Sequence, residues 1–344
     1  HMVDDPAIVG VEAAHQYYAD GMLVVEDGHV VAAGARSDIE ATLKDNTEII
    51  DHSGNLLVPG FIDTHIHFPQ LDMIASFGEQ LLDWLNKYTF PEEAKFADPA
   101  HAADCAEFFL SELLRNGTTT ALVYGTVHKQ SADALFAEAY RRGMRIVAGK
   151  ALMDRNVPEA VRDTAESGDK DSRELIEKWH GKGRLGYAVT PRFAPACSDE
   201  QMTLAGKLLA EHPDVLMHTH LSENVSEIDW VNELYPDAKG YLDAYAKFGL
   251  LTNRSVFAHC VHLESEEYQR MAEADAAISF CPTSNLFLGS GLFHLKEAEK
   301  YGVKVGLGTD GAASNNDLDM WPEMRFAALL HKGVSGDPTV VPAI

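Results

Sequence analysis

Short apolar runs alternate with amphipathic stretches along most of this chain. Eight of the runs read as buried strands: 58–67 (VPGFIDTHIH), 118–125 (TTTALVYG), 145–154 (RIVAGKALMD), 185–193 (LGYAVTPRF), 215–223 (VLMHTHLSE), 255–260 (SVFAHC), 276–285 (AAISFCPTSN) and 303–310 (VKVGLGTD). Between them the apolar residues recur at helical spacing, as in 100–117 (AHAADCAEFFLSELLRNG), where Gly117 supplies the stop. After the eighth run, 320–333 (MWPEMRFAALLHKG) supplies a last helix. Eight strand–helix alternations predict an α/β fold, a (β/α)8 TIM-like barrel over 58–344. Residues 1–57 have a different pattern. Short pieces such as GMLVVEDG and HVVAAGA are separated by turn signals, with Asp27-Gly28 marking a hairpin. They predict the N-terminal part of a small β-sandwich domain. Such a domain usually needs partner strands, and none follows the barrel. The chain is therefore expected to represent this domain incompletely and to be truncated on the C-terminal side of the barrel.

Composition narrows the function. With 46% hydrophobic residues the chain can bury a large core. Its 28 basic against 53 acidic residues give a net charge of −25, which repels a phosphate backbone, so no nucleic-acid partner is expected. Cys105, Cys197, Cys260 and Cys281 form no CxxC and suit a reducing compartment. No apolar run approaches the roughly 18 residues of a membrane span, and no basic-then-apolar leader opens the chain. A cytoplasmic protein without a membrane partner is expected.

The chemistry lies at the ends of the strand runs. His65 and His67 are two apart, so on a strand they share a face, and two imidazoles this close suit a borderline cation such as zinc. His218 and His220 also share a face, which leaves two candidates. His220 lies nearer the strand end, where barrel ligands belong, whereas His218 sits one layer deeper as a core histidine. Glu223 follows His220 by three residues and can serve as a proton shuttle over a metal. Asp310, in GLGTD, can ligate the metal and accept a proton from its water. His259 closes the sixth run and is read as orienting water rather than binding metal tightly. His128, His262 and His331 receive no role. The chain lacks a GxGxxG or Walker sequence, a GxSxG elbow, and the HxE…PCxxC pattern of nucleic-acid-type zinc deaminases. The set reads as a metal-dependent hydrolase.

These residues resemble the amidohydrolase superfamily over nearly the whole chain. The segments that carry the likeness include PGFIDTHIHFPQ (59–70), LLDWLNKYTFPEE (81–93), VTPRFAPACS (189–198), HLSENVSEI (220–228), SFCPTSNLFLGSG (279–291) and KVGLGTD (304–310). WLNKYTFPEE and TPRF point to the branch that deaminates guanine. The resemblance implies one zinc per chain, held by His65, His67, His220 and Asp310. In two-metal members a lysine ends the fourth strand, where this chain reads TPRFAP. It implies hydrolysis of guanine to xanthine and ammonia, with Glu223, His259 and Asp310 as the catalytic groups. Gln70, Arg192, Phe193 and His259 would contact the substrate, and the protein would be a homodimer. Two alternatives remain. One is a related amidohydrolase acting on 8-oxoguanine, cytosine, an adenosine-type compound or a triazine. The other is a non-catalytic scaffold, which should have lost its ligands.

Overall fold

The computed structural model describes residues 9–76 and 78–341, so the outermost ends of both expected domains lie outside the described residues. The chain divides into two compact units, with the boundary between Gly60 and Phe61. In the first, β1 (Gly21–Glu26) and β2 (His29–Ala35) form an antiparallel hairpin. Asp27 (φ 51°) and Gly28 (φ 76°) take the two left-handed positions that such a tight turn requires.

The second unit is the barrel. Its strands are β3 (Phe61–His67), β4 (Thr118–Tyr124), β5 (Arg145–Gly149), β6 (Ala151–Leu152), β7 (Gly186–Pro191), β8 (Leu216–Leu221), β9 (Ser255–His259), β10 (Ala277–Phe280) and β11 (Lys304–Leu307). Neighbours pair in parallel from β3 through β4, β5, β7, β8, β9 and β10 to β11, and β6 also pairs with β7. Two runs differ from their sequence reading. The run 145–154 breaks at Lys150, whose fully buried ammonium lies 2.5 Å from Asp163 Oδ2. The run 276–285 ends as a strand at Phe280, and a helical segment, Pro282–Phe287, follows. Pro282 has no N–H for a sheet ladder but suits the first turn of a helix.

Helices return the chain between strands, and their starts are set by side chains. Asp98 Oδ1 accepts from Ala100 N ahead of the helix Pro99–Arg115, and Ser198 caps Asp199–Glu211. Leu110, Leu113, Phe136, Leu175 and Leu208 from these helices share one buried core with Val123, Ile146, Val189 and Met217 from the strands. Each such side chain contributes about 1.5–3 kcal/mol on burial.

The seam between β3 and β11 is stitched differently from the other pairs. Asp310 N donates to His65 O (2.9 Å), and His67 N donates to Asp310 O (3.1 Å). Side chains supply the remaining links. Thr64 Oγ1 donates to Leu307 O (2.8 Å), and Thr309 Oγ1 donates to Asp63 Oδ2 (2.6 Å). The barrel thus closes at its C-terminal mouth on the residues singled out for chemistry.

Close strand approach also has a sequence requirement. A Cβ added to Gly149 would lie 1.9 Å from the carbonyl oxygen of Ala188, a backbone atom that cannot swing away. Gly149→Ala is expected to destabilise the barrel by about 3 kcal/mol or more, read as a lowered urea midpoint. An unchanged midpoint would mean that β5 and β7 are free to separate.

Candidate metal and active site

The ends of β3, β8 and β9 and the residue Asp310 beyond β11 bring their groups together at the mouth. His65, His67, His220 and Asp310 are all buried, and one ligand atom from each lies within 4.8 Å of the others. His65 Nε2 is 2.9 Å from Asp310 Oδ1, His67 Nε2 is 3.4 Å from the same oxygen, and the Nε2 atoms of His67 and His220 are 3.0 Å apart.

Neighbours fix the outer atoms of His65, His220 and Asp310. His220 Nδ1 is 2.6 Å from the Arg192 carbonyl and must carry the proton there, which leaves Nε2 as a lone pair aimed at the cluster. His65 Nδ1 is 2.7 Å from His218 Nε2, so His218 backs the cluster rather than joining it. Asp310 Oδ2 accepts from Ser284 Oγ (2.7 Å) and Ser314 Oγ (2.8 Å).

Electrostatics favour a cation at this point. Burial holds the His67 and His220 imidazoles well below their ordinary pKa, and burial also lowers that of His65, so all three favour the neutral, lone-pair form. Burial alone would raise the Asp310 carboxyl. The His65 hydrogen bond and the His259 charge outweigh it and hold the group well below the usual range. Three neutral imidazoles and one carboxylate are the donor set a divalent metal takes, and His67 Nδ1 is left buried without a partner. The cluster fits a metal site.

Beside it stand Glu223 and His259. His259 Nδ1 donates to Asn285 Oδ1 (2.9 Å), which turns Nε2 toward Glu223 Oε2 at 3.5 Å. Burial raises the Glu223 carboxyl to about 7. Its backbone N–H donates to Glu227 Oε2 (3.0 Å), and that carboxylate completes the capping box of the helix Val225–Leu234. His259 (φ 69°) and Asp310 (φ 63°) both sit in the left-handed region, a strained backbone that aims their side chains across the mouth.

A pocket opens over this floor, with about 390 Å³ of non-atom space, part of it open to solvent. Gln70, Arg192 and Phe193, expected from the sequence to face a ligand, all line it together with Glu223 and His259. Trp84, Leu81, Leu85 and Leu288 supply apolar wall. The sequence reading missed Ser284, Ser314, Asn285 and Glu93. Ser284 and Asn285 lie inside the run 276–285, which turns helical at Pro282, and Ser314 lies on the short helix Ala312–Asn315 after the eighth run. Glu93 stands in the FPEE stretch, on the short helix Phe90–Ala94, where no local pattern signals its partner.

Comparison with known proteins agrees with the barrel fold. The Amidohydrolase family model matches residues 56–343. The chain is 53% identical over 308 residues to a guanine deaminase of Escherichia coli, covering 90% of this chain and 70% of that protein. It is 43% identical to a probable guanine deaminase of Deinococcus radiodurans, covering 87% and 69%. Among solved structures, E. coli guanine deaminase superposes with a TM-score of 0.93 at 49% identity, over 97% of this chain and 77% of that one. A guanine deaminase from C. acetobutylicum with guanine in its active site superposes with a TM-score of 0.85 at 33% identity, over 92% and 75%. The chain belongs to the amidohydrolase family, among its guanine deaminases.

Proposed function

We propose that this site deaminates guanine hydrolytically, giving xanthine and ammonia, with one zinc ion per chain. The observation that carries the reading is the four-ligand cluster at the floor of a pocket whose wall holds the buried Glu223 carboxyl. His65, His67 and His220 would hold the metal through imidazole nitrogens and Asp310 through its carboxylate, a set that suits zinc. When bound, such a metal would supply Lewis acidity, which lowers the pKa of water to about 7.

The chain's own groups do the rest. Asp310 and His259 orient the attacking water and take up its proton. Glu223, with a carboxyl that titrates near 7, gives a proton to the ring nitrogen beside the carbon that bears the amino group. The new C–O bond forms as that nitrogen is protonated. The C–N bond then breaks, and a relayed proton leaves with the amine as ammonia. The Arg192 guanidinium donates to the purine carbonyl, Phe193 lies against the ring, Gln70 meets a ring edge, and the apolar wall excludes water.

No described helix is long and apolar enough to cross a membrane. The cysteine usage supports a reducing compartment such as the cytoplasm, and the family resemblance supports a homodimer. A substrate panel tests the reading. Guanine should be the preferred substrate over 8-oxoguanine, cytosine, adenosine and a triazine by at least ~100-fold in kcat/KM. Preference for any of the others would overturn it.

A further inference from the structure

Glu93 has no part in the steps above, yet it is fully buried and holds two side chains of the pocket. It comes from the short helix Phe90–Ala94. Arg192 Nη1 donates to both of its oxygens, at 2.5 and 2.7 Å, and Gln70 Nε2 donates to Oε1 at 3.3 Å. The guanidinium also lies within 5.8 Å of the Phe90 ring centroid and 5.9 Å of the Tyr124 centroid, which limits where it can swing.

A carboxylate in an ion pair only accepts hydrogen bonds, so Gln70 must turn its NH₂ toward Glu93. That leaves the Gln70 carbonyl oxygen for the pocket as an acceptor. Arg192, with Nη1 engaged, keeps its remaining N–H groups as donors. The pocket therefore presents a donor and an acceptor whose polarity is set by one buried charge. Guanine carries the complement on adjacent atoms, a C6 carbonyl beside an N1–H. 2,6-Diaminopurine keeps the reacting 2-amino group but offers an amino group at C6 and a lone pair at N1, reversed at both atoms.

We propose that Glu93 is a positioning residue that fixes Arg192 as donor and Gln70 as acceptor, and so makes the pocket select the 6-oxo, N1–H edge of its purine. This rests on the guanine reading above. A site built on fixed polar partners rejects a mismatched edge strongly, because its own groups are left unpaired.

The test compares kcat/KM for guanine and 2,6-diaminopurine in the metal-loaded protein and in Glu93→Gln. Wild type should favour guanine by at least ~10³-fold. In Glu93→Gln the Gln70 amide is free to turn, and the ratio should fall by at least ~30-fold, with the loss on the guanine side and mainly in KM. A purely structural role would lower both substrates by the same factor, and that result overturns the proposal, as does an unchanged ratio. Should Glu93→Gln fail to fold, Glu93→Asp gives the same readout. It keeps the charge beside Arg192 but withdraws it from Gln70, so the ratio should fall by about 10-fold; a ratio equal to wild type overturns the proposal. Wild type that turns over neither purine contradicts the guanine reading itself, an outcome distinct from an active wild type with an unaltered Glu93 variant.

Discussion

Replacing Glu223 by Gln should abolish nearly all turnover of guanine while leaving the metal in place. The side chain is buried, its Oε1 accepts from Ser290 Oγ at 3.3 Å, and it is not one of the four clustered ligands. Gln has the same size and can keep the serine contact, but it cannot carry a proton to the ring. A positioned acid–base group contributes about 10²–10⁴-fold, and the upper part of that range is expected because Glu223 carries the proton to the ring. Stability should move the other way. Burial raises the Glu223 pKa to about 7, above its unfolded value of roughly 4.3. The stability it contributes is therefore complete below the unfolded pKa and is lost as pH rises through the folded one. Gln does not ionise, so at pH 8 the variant should melt no lower than wild type. Near-full activity, or loss of metal, would remove Glu223 from its assigned role.

Asp310→Asn should cost the metal itself. Asp310 supplies the one charged ligand of the cluster and is held ionised by His65 and His259 against the effect of burial. Asn keeps the shape and the backbone seam with His65, so the barrel should still close. It removes the negative charge and can turn an N–H toward the neutral imidazoles. Metal content after dialysis should fall below ~0.1 per chain, and guanine turnover by ~10⁴-fold or more. A variant that retains stoichiometric metal would show that the three histidines suffice.

The legible part of this protein is what strand periodicity and strand ends can encode. HIH at 65–67 places two imidazoles on one face because side chains alternate, and the eight runs announce the barrel that brings distant ends together. Periodicity alone could not separate His218 from His220, which share a face. Depth in the barrel favoured His220, and the structure adds the means: the Arg192 carbonyl turns His220 Nε2 toward the cluster, whereas His218 Nε2 turns to His65. The supporting groups were not legible. Ser284 and Asn285 reach Asp310 and His259 because the chain becomes helical at Pro282, inside a run that reads as strand. Glu93 and Arg192 are 99 residues apart, and no local pattern reports such a pairing. Gly149 looks like any strand glycine until the carbonyl of Ala188 is found against it.

The central claim is tested most directly by measuring ammonia released from guanine, with xanthine followed by ultraviolet absorbance, on protein whose zinc has been quantified. The account predicts sustained turnover with one zinc per chain. Stoichiometric zinc with no turnover of guanine would contradict it.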